Sequence, residues 1–285
     1  MLTNYDKQQI IRTAWKNCRT PLTEIKNLIS VKISVSTVRR VLTAEGYHRR
    51  VAQRVPFLTP NHKHLRRFWG TMNKQRTHQS WHRVIFSDEC YVHLGDKHGR
   101  IFMMRRKDEQ LFDECVVPTF KQSAIRVMVW ECIVEGRKGP LVVMEYPGGK
   151  GGGMNSKRYQ EQVLEGPLLA FFTRLRQERG SIQFQQDGAP CHQSKQMRKW
   201  LDDHHIPLFY HPPNSPDLSP IEPVWLELKN ILRSYRHVPS NVDKLKAAVL
   251  KAWDEISLDT INTHISSMPD CVAAVLAAKG GHTQF

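Results

Sequence analysis

Apolar side chains recur at every third or fourth position through most of residues 1–46, which is the spacing of amphipathic α-helices. Three segments show this pattern: one begins near Asn4, one begins at Pro21, and one opens at Ser34 or Ser36. Only the residues "VKI" separate the second segment from the third. A short turn followed by a basic last helix predicts a helix-turn-helix motif, although a generic three-helix bundle has the same spacing.

The same spacing predicts which side chains form the interior of this bundle. Those expected to face inward are Ile10, Ile11, Trp15, Leu22, Ile25, Leu28, Ile29, Val38, Val41 and Leu42. With the third helix oriented in this way, Arg40 points outward and Arg39 lies on its flank. From these positions we expect the two arginines to reach phosphate groups or a guanine edge of DNA.

From residue 82 onward, apolar and polar residues alternate, as they do in β-strands. Four strands are predicted first, in the segments "RVIFSDECYVHL", "GRIFMMRR", "AIRVMVWECIV" and "GPLVVMEY". A long helix with a kink at Gly166-Pro167 follows, and then a buried strand, a helix, the strand "IPLFYHPP" and two or three further helices. Strands followed by alternating helices and strands predict a mixed α/β sheet covered by helices.

The net charge of the 285-residue chain is +15, and nearly all of it lies near the beginning. Residues 1–80 carry 16 Lys and Arg against 3 Asp and Glu, whereas residues 81–285 carry 26 against 24. A basic segment joined to a nearly neutral body indicates a nucleic-acid-binding module attached to a second domain. A solvated basic surface is the alternative, and the strong asymmetry disfavours it.

These patterns predict three parts: a helix-turn-helix domain at 1–48, a basic linker with a connecting helix at 49–80, and an α/β domain at 81–285. The arginines of the linker are expected to follow the DNA backbone: Arg49, Arg50 and Arg54. The same basic cluster is a weak signal for localisation to the nucleus. Six scattered cysteines without a C-x-x-C pair argue against a disulfide framework and against a zinc finger.

Three acidic residues occupy unusual places in this pattern. Asp88 lies in the middle of the strand "IFSDECY", where burial of a charge is costly unless it is paired. Asp187 closes the strand "IQFQQD", and Glu222 begins a helix after the proline-rich stretch "PPNSPDLSPI". Strand-end and helix-start acids can meet at one edge of a mixed sheet. Three such carboxylates, without nearby Cys or His ligands, suit two Mg²⁺ or Mn²⁺ ions that act in phosphoryl transfer.

Each acid also has a structural alternative. Asp88 would be a hydrogen-bonded structural acid if its neighbour Glu89 were the functional one, and Asp187 would only set up the Asp-Gly turn that follows it. Ser219 and Glu222 match the S-x-x-E pattern of a helix capping box, which the spacing alone does not distinguish from a ligand role. Asp217 is interpreted as a local acid that bonds turn amides or caps the approach to the helix, in preference to a catalytic role.

Four motifs carry a resemblance to a known family: "VIFSDE", "MVWECI", "QQDGAPCHQS" and "SPDLSPIEPVWLELK". Together they resemble the catalytic domain of the Tc/mariner superfamily of cut-and-paste DNA transposases, within a likeness that covers roughly residues 20–270. In that family, two aspartates and a final Glu or Asp bind the catalytic metals on a ribonuclease-H-like fold. Here 34 residues lie between Asp187 and Glu222, the spacing associated with the Tc-type branch that ends in Glu.

The resemblance implies a ribonuclease-H-like mixed sheet flanked by helices and preceded by a small all-α helix-turn-helix domain. It implies that Asp88, Asp187 and Glu222 are the catalytic residues and bind two Mg²⁺ or Mn²⁺ ions. His192 matches the histidine that follows the second Asp in the family and is expected near the active site, in core packing or in a DNA contact. The expected partners are double-stranded DNA, as terminal inverted repeats and as target, and a second copy of the chain in a nuclear homodimer.

The sequence also departs from the family. Gly188 and Glu131 replace residues that are commonly Asn and Gly, and only one helix-turn-helix fits before the α/β domain instead of two. These departures keep two alternatives to an active transposase open. One is a transposase-derived DNA-binding protein that has lost its catalytic activity, and the other is a ribonuclease-H-like nuclease of different specificity.

Overall fold

The computed structural model describes residues 2–16, 20–48, 55–93, 126–148, 152–235 and 239–285. Internal contacts divide the chain into two compact units, Met1–Val55 and Pro56–Phe285. The predicted strand "GRIFMMRR" and the linker arginines lie outside the described residues: Arg49, Arg50 and Arg54. None of the described helices is long and apolar enough to cross a membrane.

The first unit contains helices α1 (Asn4–Lys16), α2 (Leu22–Asn27) and α3 (Val35–Ala44). Ser34 caps α3, since its side chain accepts a hydrogen bond from the amide of Thr37 at 3.1 Å. The buried residues of the three helices form one cluster: Ile10, Ala14, Ile25, Ile29, Val38, Val41 and Leu42.

Two side chains predicted to lie in this cluster are exposed, Trp15 by 68% and Leu28 by 57%. The inward stripe of α1 runs through Ile10 and Ala14, and Trp15 lies one position further around the helix. Leu28 is already the C-cap residue of α2, where helical spacing no longer determines which way a side chain points. The predictions for these two residues were wrong, while those for Val38, Val41 and Leu42 are confirmed.

The second unit begins with two helices and a sheet. Their bounds are α4 (Pro60–Asn73), α5 (His78–Trp81), β1 (Val84–His93), β2 (Arg126–Val134), β3 (Arg137–Lys138) and β4 (Val142–Met144). The rest of the unit comprises α6 (Ser156–Tyr159), a π-helical segment (Gln160–Leu168), α7 (Leu169–Arg179), β5 (Gln183–Gln185), α8 (Lys195–Asp203), α9 (Glu222–Ser234), α10 (Val242–Glu255), α11 (Leu258–Ser266) and α12 (Met268–Ala277).

The sheet is mixed, and β1 lies inside it. Its order is β3-β2-β1-β5, with β4 also paired to β2. β1 runs antiparallel to β2, with Asp88 opposite Glu131, and parallel to β5, with Phe86 opposite Gln185. The predicted strand "IPLFYHPP" forms only an isolated bridge between Phe184 and Leu208, because the prolines that flank it have no amide donor.

Helices cover both faces of the sheet. One face packs against α4 and α9 to α12, through residues that include Val84, Phe86, Trp225 and Trp253. The opposite face packs against α6 to α8 and the π segment, through residues that include Ile85, Trp130, Tyr159 and Phe172. The helix α4, predicted as part of a connection, contributes the fully buried Trp69 to the first face and so belongs to the second unit.

The long helix that starts at Ser156 is not α-helical throughout. Where the sequence predicts a kink, the segment Gln160–Leu168 is π-helical and contains Pro167. A proline inside an α-helix removes one hydrogen bond and clashes with the carbonyl group four residues earlier. The wider turns of a π-helix accommodate this residue while the buried side chains of the segment still face the sheet.

Asp217 forms a buried ion pair with Arg66 of α4, with both N···O distances at 2.6 Å. The Arg66 side chain is fully buried and also donates to the carbonyl groups of Gly280 and Gly281. Thr283 donates to Asp217 from its amide and its hydroxyl. The interpretation of Asp217 as a local acid was wrong, because these partners lie 151 and 66 positions away along the chain.

Gly280 makes this network sterically possible. Its φ of +81° lies in the left-handed region, and a Cβ at this position would collide with the carbonyl group of Lys63. The absence of a side chain therefore lets the C-terminal backbone approach α4 closely enough to bond Arg66. The network joins α4, the loop before α9 and the residues near the C-terminus.

We predict that Asp217→Ala lowers the free energy of unfolding by about 3–5 kcal/mol, because it leaves the Arg66 charge buried without its partner. The matched control is Asp203→Ala, since Asp203 pairs with Lys199 at the same 2.6 Å but both side chains are more than half exposed. That change should cost less than about 1 kcal/mol. Urea unfolding measures both, and equal losses would contradict the prediction.

The stabilisation from Asp217 should also depend on pH. Burial opposes ionisation of Asp217, but hydrogen bonds from Arg66 and Thr283 outweigh it and lower the pKa below its usual range. A depressed folded-state pKa gives stability that is full above the unfolded pKa of about 3.9 and is lost as the pH falls through the folded value. The difference in free energy of unfolding between the wild type and Asp217→Ala, measured by urea titration, should therefore become smaller below about pH 4.

Candidate active site

The pairing of β1 with β5 brings two of the predicted acids together. The last parallel pair is Phe86 and Gln185, and Asp88 and Asp187 each lie two residues further along their chain segments. Because side chains alternate along extended chain, this offset directs both acids to the side of the sheet shared by Phe86 and Gln185. The two carboxylates are thus neighbours at the end of the β1–β5 ladder.

Glu222 reaches the same place from the start of α9. Trp225 lies one turn further along the helix, and its indole N–H donates to Oδ2 of Asp88 at 3.2 Å. Residues three apart lie on one face of a helix, so this contact also turns Glu222 toward β1. The hydrogen bond from Trp225 fixes the orientation of the Asp88 carboxylate.

A cavity of about 410 Å³ lies between these elements and is lined by all three acids. Its other walls include Gln185, His211 and three prolines of the loop before α9: Pro212, Pro213 and Pro216. Glu89, the alternative to Asp88, does not line this cavity among the described residues. It lies on the opposite face of β1, where it meets His192.

Burial and neighbouring groups shift the pKa values of all three acids in the cavity. Burial, followed by the negative charges of Glu222, Glu89 and Asp187, raises the pKa of Asp88 to about 8. Burial also raises the pKa of Glu222, against the opposing charge of Lys229. For Asp187, burial is outweighed by hydrogen bonds from His192 and the Ala189 amide, and its pKa is lowered. The site therefore has more negative charge than its own cations balance.

This donor set fits a divalent cation. The three side chains offer only carboxylate oxygens, the ligands that Mg²⁺ and Mn²⁺ prefer. Burial and the neighbouring carboxylates raise the pKa of Asp88, and a bound cation would oppose both effects by favouring the ionised form. A second group of potential ligand atoms, on Glu89, Asp187 and His192, lies next to the first with its atoms within 4.8 Å of one another.

His192 lies near the site, as expected, and contacts Asp187 directly. Its Nδ1 lies 2.7 Å from Oδ1 of Asp187, and its ring packs on Tyr159 with the ring centres 4.4 Å apart. Burial acts to lower the pKa of His192, but the hydrogen bond with Asp187, together with the nearby Cys191 and Glu89, raises it to about 12. The contact is with another site residue, and the ring is also packed in the core.

The capping-box alternative for Glu222 does not match the structure. No side chain caps the start of α9, and the Oγ of Ser219 has no hydrogen-bond partner among the described residues. The carboxylate of Glu222 instead faces the cavity with Asp88 and Asp187.

The two departures from the family pattern have different surroundings. Glu131 is fully buried opposite Asp88, and burial raises its pKa well above the usual range. Its Oε1 accepts from the amide of Cys132, while Oε2 has no partner in the described part of the chain. At Gly188, a Cβ would meet only the flexible end of Gln193 at 3.0 Å, so space does not require glycine there.

Sequence reasoning missed the roles of Trp225 and His211. Trp225 fits the apolar stripe of α9, and nothing in that stripe indicates that its N–H meets a carboxylate. His211 lines the cavity, and burial lowers its pKa to about 4, so it is neutral at physiological pH. Arg39 and Arg40 lie in the other unit, where both are exposed on α3.

Comparison with known proteins assigns both parts of the chain. A family model described as "DDE superfamily endonuclease" matches residues 152–246, and a helix-turn-helix model of the Tc3 type, described as "Transposase", matches residues 7–73. The Tc1 transposase of Caenorhabditis elegans is 30% identical over 282 residues, which cover 98% of this chain and 99% of that protein.

The chain belongs to the Tc/mariner superfamily of DNA transposases. The Tc3 transposase of Caenorhabditis elegans is also 30% identical, over 98% of this chain and 80% of its own length.

Solved structures support the fold assignment. The Mos1 transposase paired-end complex with left transposon end has a TM-score of 0.77 at 16% identity and covers 100% of this chain and 81% of its own. The Mos1 paired-end complexes with Mn and with Mg match over the same shares, with TM-scores of 0.77 and 0.75 and 16% identity. The predicted ribonuclease-H-like mixed sheet, flanked by helices and preceded by a helix-turn-helix domain, is confirmed.

We predict that Ser219→Ala changes the free energy of unfolding by less than about 0.5 kcal/mol, because Ser219 caps no helix. Ser194→Ala is the matched control, since Ser194 caps α8 by accepting from the amide of Met197 at 3.2 Å. Loss of that cap should cost about 0.5–2 kcal/mol. A similar loss of unfolding free energy for Ser219→Ala, measured by urea unfolding, would support the capping-box interpretation.

Proposed function

We propose that this protein is a cut-and-paste DNA transposase. It binds terminal inverted repeats through the first unit, cleaves DNA at the ends of the element and joins the freed 3′ ends to target DNA. The observation that carries the proposal is the meeting of Asp88, Asp187 and Glu222 at one cavity in a chain of this family.

In this proposal the three acids are the metal ligands. Two divalent cations bound there would help to activate water or a 3′-hydroxyl and would stabilise the leaving oxygen. Asp88 and Asp187 approach from the sheet, and Glu222 approaches from α9, so cations would be held between separate elements of the fold. The indole of Trp225 holds one oxygen of Asp88 and so limits its rotation.

The first unit supplies DNA binding in this proposal. Its third helix, α3, begins at a serine cap, and Arg39 and Arg40 extend into solvent from it. An exposed basic helix that follows a short turn has the geometry of a recognition helix that enters the major groove. Arg49, Arg50 and Arg54 remain predicted backbone contacts on the basis of their charge.

The remaining parts of the proposal concern assembly and location. A homodimer would let two copies hold the two ends of one element, and a Mos1 structure is itself described as a paired-end complex. Access to chromosomal DNA would require the chain to work in the nucleus, which the basic cluster around residues 49–54 favours.

We predict that purified protein cleaves labelled DNA carrying the cognate inverted repeats when Mg²⁺ or Mn²⁺ is present. The repeats can be read from the DNA that flanks the gene. Asp88→Asn, Asp187→Asn and Glu222→Gln should each reduce cleavage by about a thousandfold or more, because each removes a charged metal ligand while preserving shape.

Repeat binding by the same variants, measured by gel shift without metal, should stay within about threefold of the wild type, because the acids lie outside the DNA-binding unit. Wild-type binding without cleavage would favour the transposase-derived DNA-binding protein. Cleavage of RNA–DNA hybrids without preference for repeat ends would favour a nuclease of another specificity.

We also predict that Arg39→Ala and Arg40→Ala weaken repeat binding, by about 1–3 kcal/mol for an arginine that contacts a base edge. For an arginine that contacts phosphate, the slope of log affinity against log salt should fall by about one. Arg174→Ala, which removes one exposed positive charge from α7, is the control. Wild-type affinity and salt slope for both α3 variants would contradict the assignment of α3 as the recognition helix.

A further inference from the structure

A chain of three polar side chains runs from the cavity into the interior. Nδ1 of His192 lies 2.7 Å from Oδ1 of Asp187, and Nε2 lies 3.3 Å from Oε1 of Glu89. The His192 side chain is only 2% exposed, whereas that of Asp187 is 48% exposed. The chain therefore connects an accessible site carboxylate to a protected interior group.

We propose that Glu89 and His192 are positioning residues that hold Asp187 in its metal-binding orientation. This inference rests on the proposed function, in which Asp187 is a metal ligand, and assigns roles to two residues that do not line the cavity themselves.

The hydrogen bonds to Asp187 support this role because they converge on one oxygen. Oδ1 meets Nδ1 of His192 and also accepts from the amide of Ala189 at 2.9 Å. In the described part of the chain, no hydrogen bond reaches Oδ2. Two donors on one oxygen fix the plane of the carboxylate, and the other oxygen stays free for a cation.

The surroundings of His192 keep its ring in one orientation. The ring packs on Tyr159, which is fully buried against the sheet, with the ring centres 4.4 Å apart. Neither Nε2 of His192 nor Oε1 of Glu89 has a hydrogen-bond partner within the described residues, although the two atoms face each other at 3.3 Å. Glu89 is therefore placed to attract the far side of the ring and to oppose its rotation.

Direct metal ligation by His192 fits the geometry less well. Glu89, Asp187 and His192 each offer a ligand atom within 4.8 Å of the others, but the 2.7 Å between Nδ1 of His192 and Oδ1 of Asp187 is a hydrogen-bond distance. An ionised carboxylate is only an acceptor, so the Nδ1–H of His192 must be the donor in the contact with Asp187. The hydrogen bond at Nδ1 and the contact of Nε2 with Glu89 at 3.3 Å together occupy both ring nitrogens.

The test compares two substitutions of His192, each of which places an amide near the position of one ring nitrogen. The amide of His192→Asn lies near the position of Nδ1 and can still donate to Asp187, whereas that of His192→Gln lies nearer Nε2. Mn²⁺ binding to the full chain, followed by electron paramagnetic resonance, should weaken about tenfold or more in H192Q and stay within about threefold of the wild type in H192N. The control, H282N, alters an exposed histidine near the C-terminus and should bind as the wild type does.

Two further measurements separate positioning from a general loss of structure. Cleavage by H192Q should recover toward the wild-type rate at saturating Mg²⁺, because the acids themselves remain. The single variant E89Q should weaken Mn²⁺ binding relative to the wild type. The double variant E89Q/H192Q should bind Mn²⁺ as H192Q does, since Glu89 acts through His192. If the losses of Mn²⁺ affinity were additive in the double variant, the proposed chain from Glu89 through His192 to Asp187 would be wrong.

Other results would also overturn the proposal. Equal Mn²⁺ affinity in H192Q and the wild type would show that Asp187 needs no such support. Nitrogen coupling in the spectrum of bound Mn²⁺ that disappears in H192N and H192Q would make His192 a direct ligand. If the wild type bound Mn²⁺ no better than Asp187→Asn, the metal site of the proposed function would fail, and this inference with it.

Discussion

The pairing of β1 on both of its edges is the constraint on which the rest of the site depends. Its pairing with antiparallel β2 and parallel β5 fixes the register of β1 and the face of the sheet to which each of its side chains points. A shift of one residue in the β1–β5 register would send Asp88 and Asp187 to different faces of the sheet. The positions of the helices around the cavity matter only because this register already places the two aspartates side by side.

Holding these acids together is electrostatically unfavourable for the protein alone. Three carboxylates share a partly buried cavity, and burial together with their repulsion raises the pKa of Asp88. The surrounding fold resists this repulsion at several points. The ion pair of Arg66 with Asp217 ties the loop before α9 to two distant parts of the chain, and prolines of that loop restrict the backbone that leads to Glu222. Contacts away from the carboxylates thus help to hold the loop that leads to Glu222.

The parts of the fold that were predicted correctly follow from local periodicity. Alternation identified β1 and β2, and helical spacing identified the buried side of α3, because in both cases neighbours along the chain determine the pattern. The meeting of Asp88, Asp187 and Glu222 was predicted from strand ends and a helix start, together with the family resemblance.

The remaining features depend on contacts through space, which no local pattern contains. Arg66 looks like any other residue of a basic stretch, yet it is fully buried because Asp217 arrives from 151 positions away. The bond between Trp225 and Asp88 and the lining role of His211 are of the same kind. Trp15 shows the reverse case, since its apolar character predicted burial while the smaller Ala14 is the residue that faces the core.

The π-helical segment has a consequence for how this chain tolerates change in length. A π turn holds more residues than an α turn, so the segment Gln160–Leu168 stores extra chain within an otherwise regular helix. Tyr159, which supports the ring of His192, lies immediately before it, and α7 lies immediately after it. Loss of one residue there would rotate Tyr159 relative to α7 by about the angle of one helical residue, unless the turns tightened to compensate. A change in length within this segment therefore affects the packing of Tyr159 on His192 as well as the helix itself.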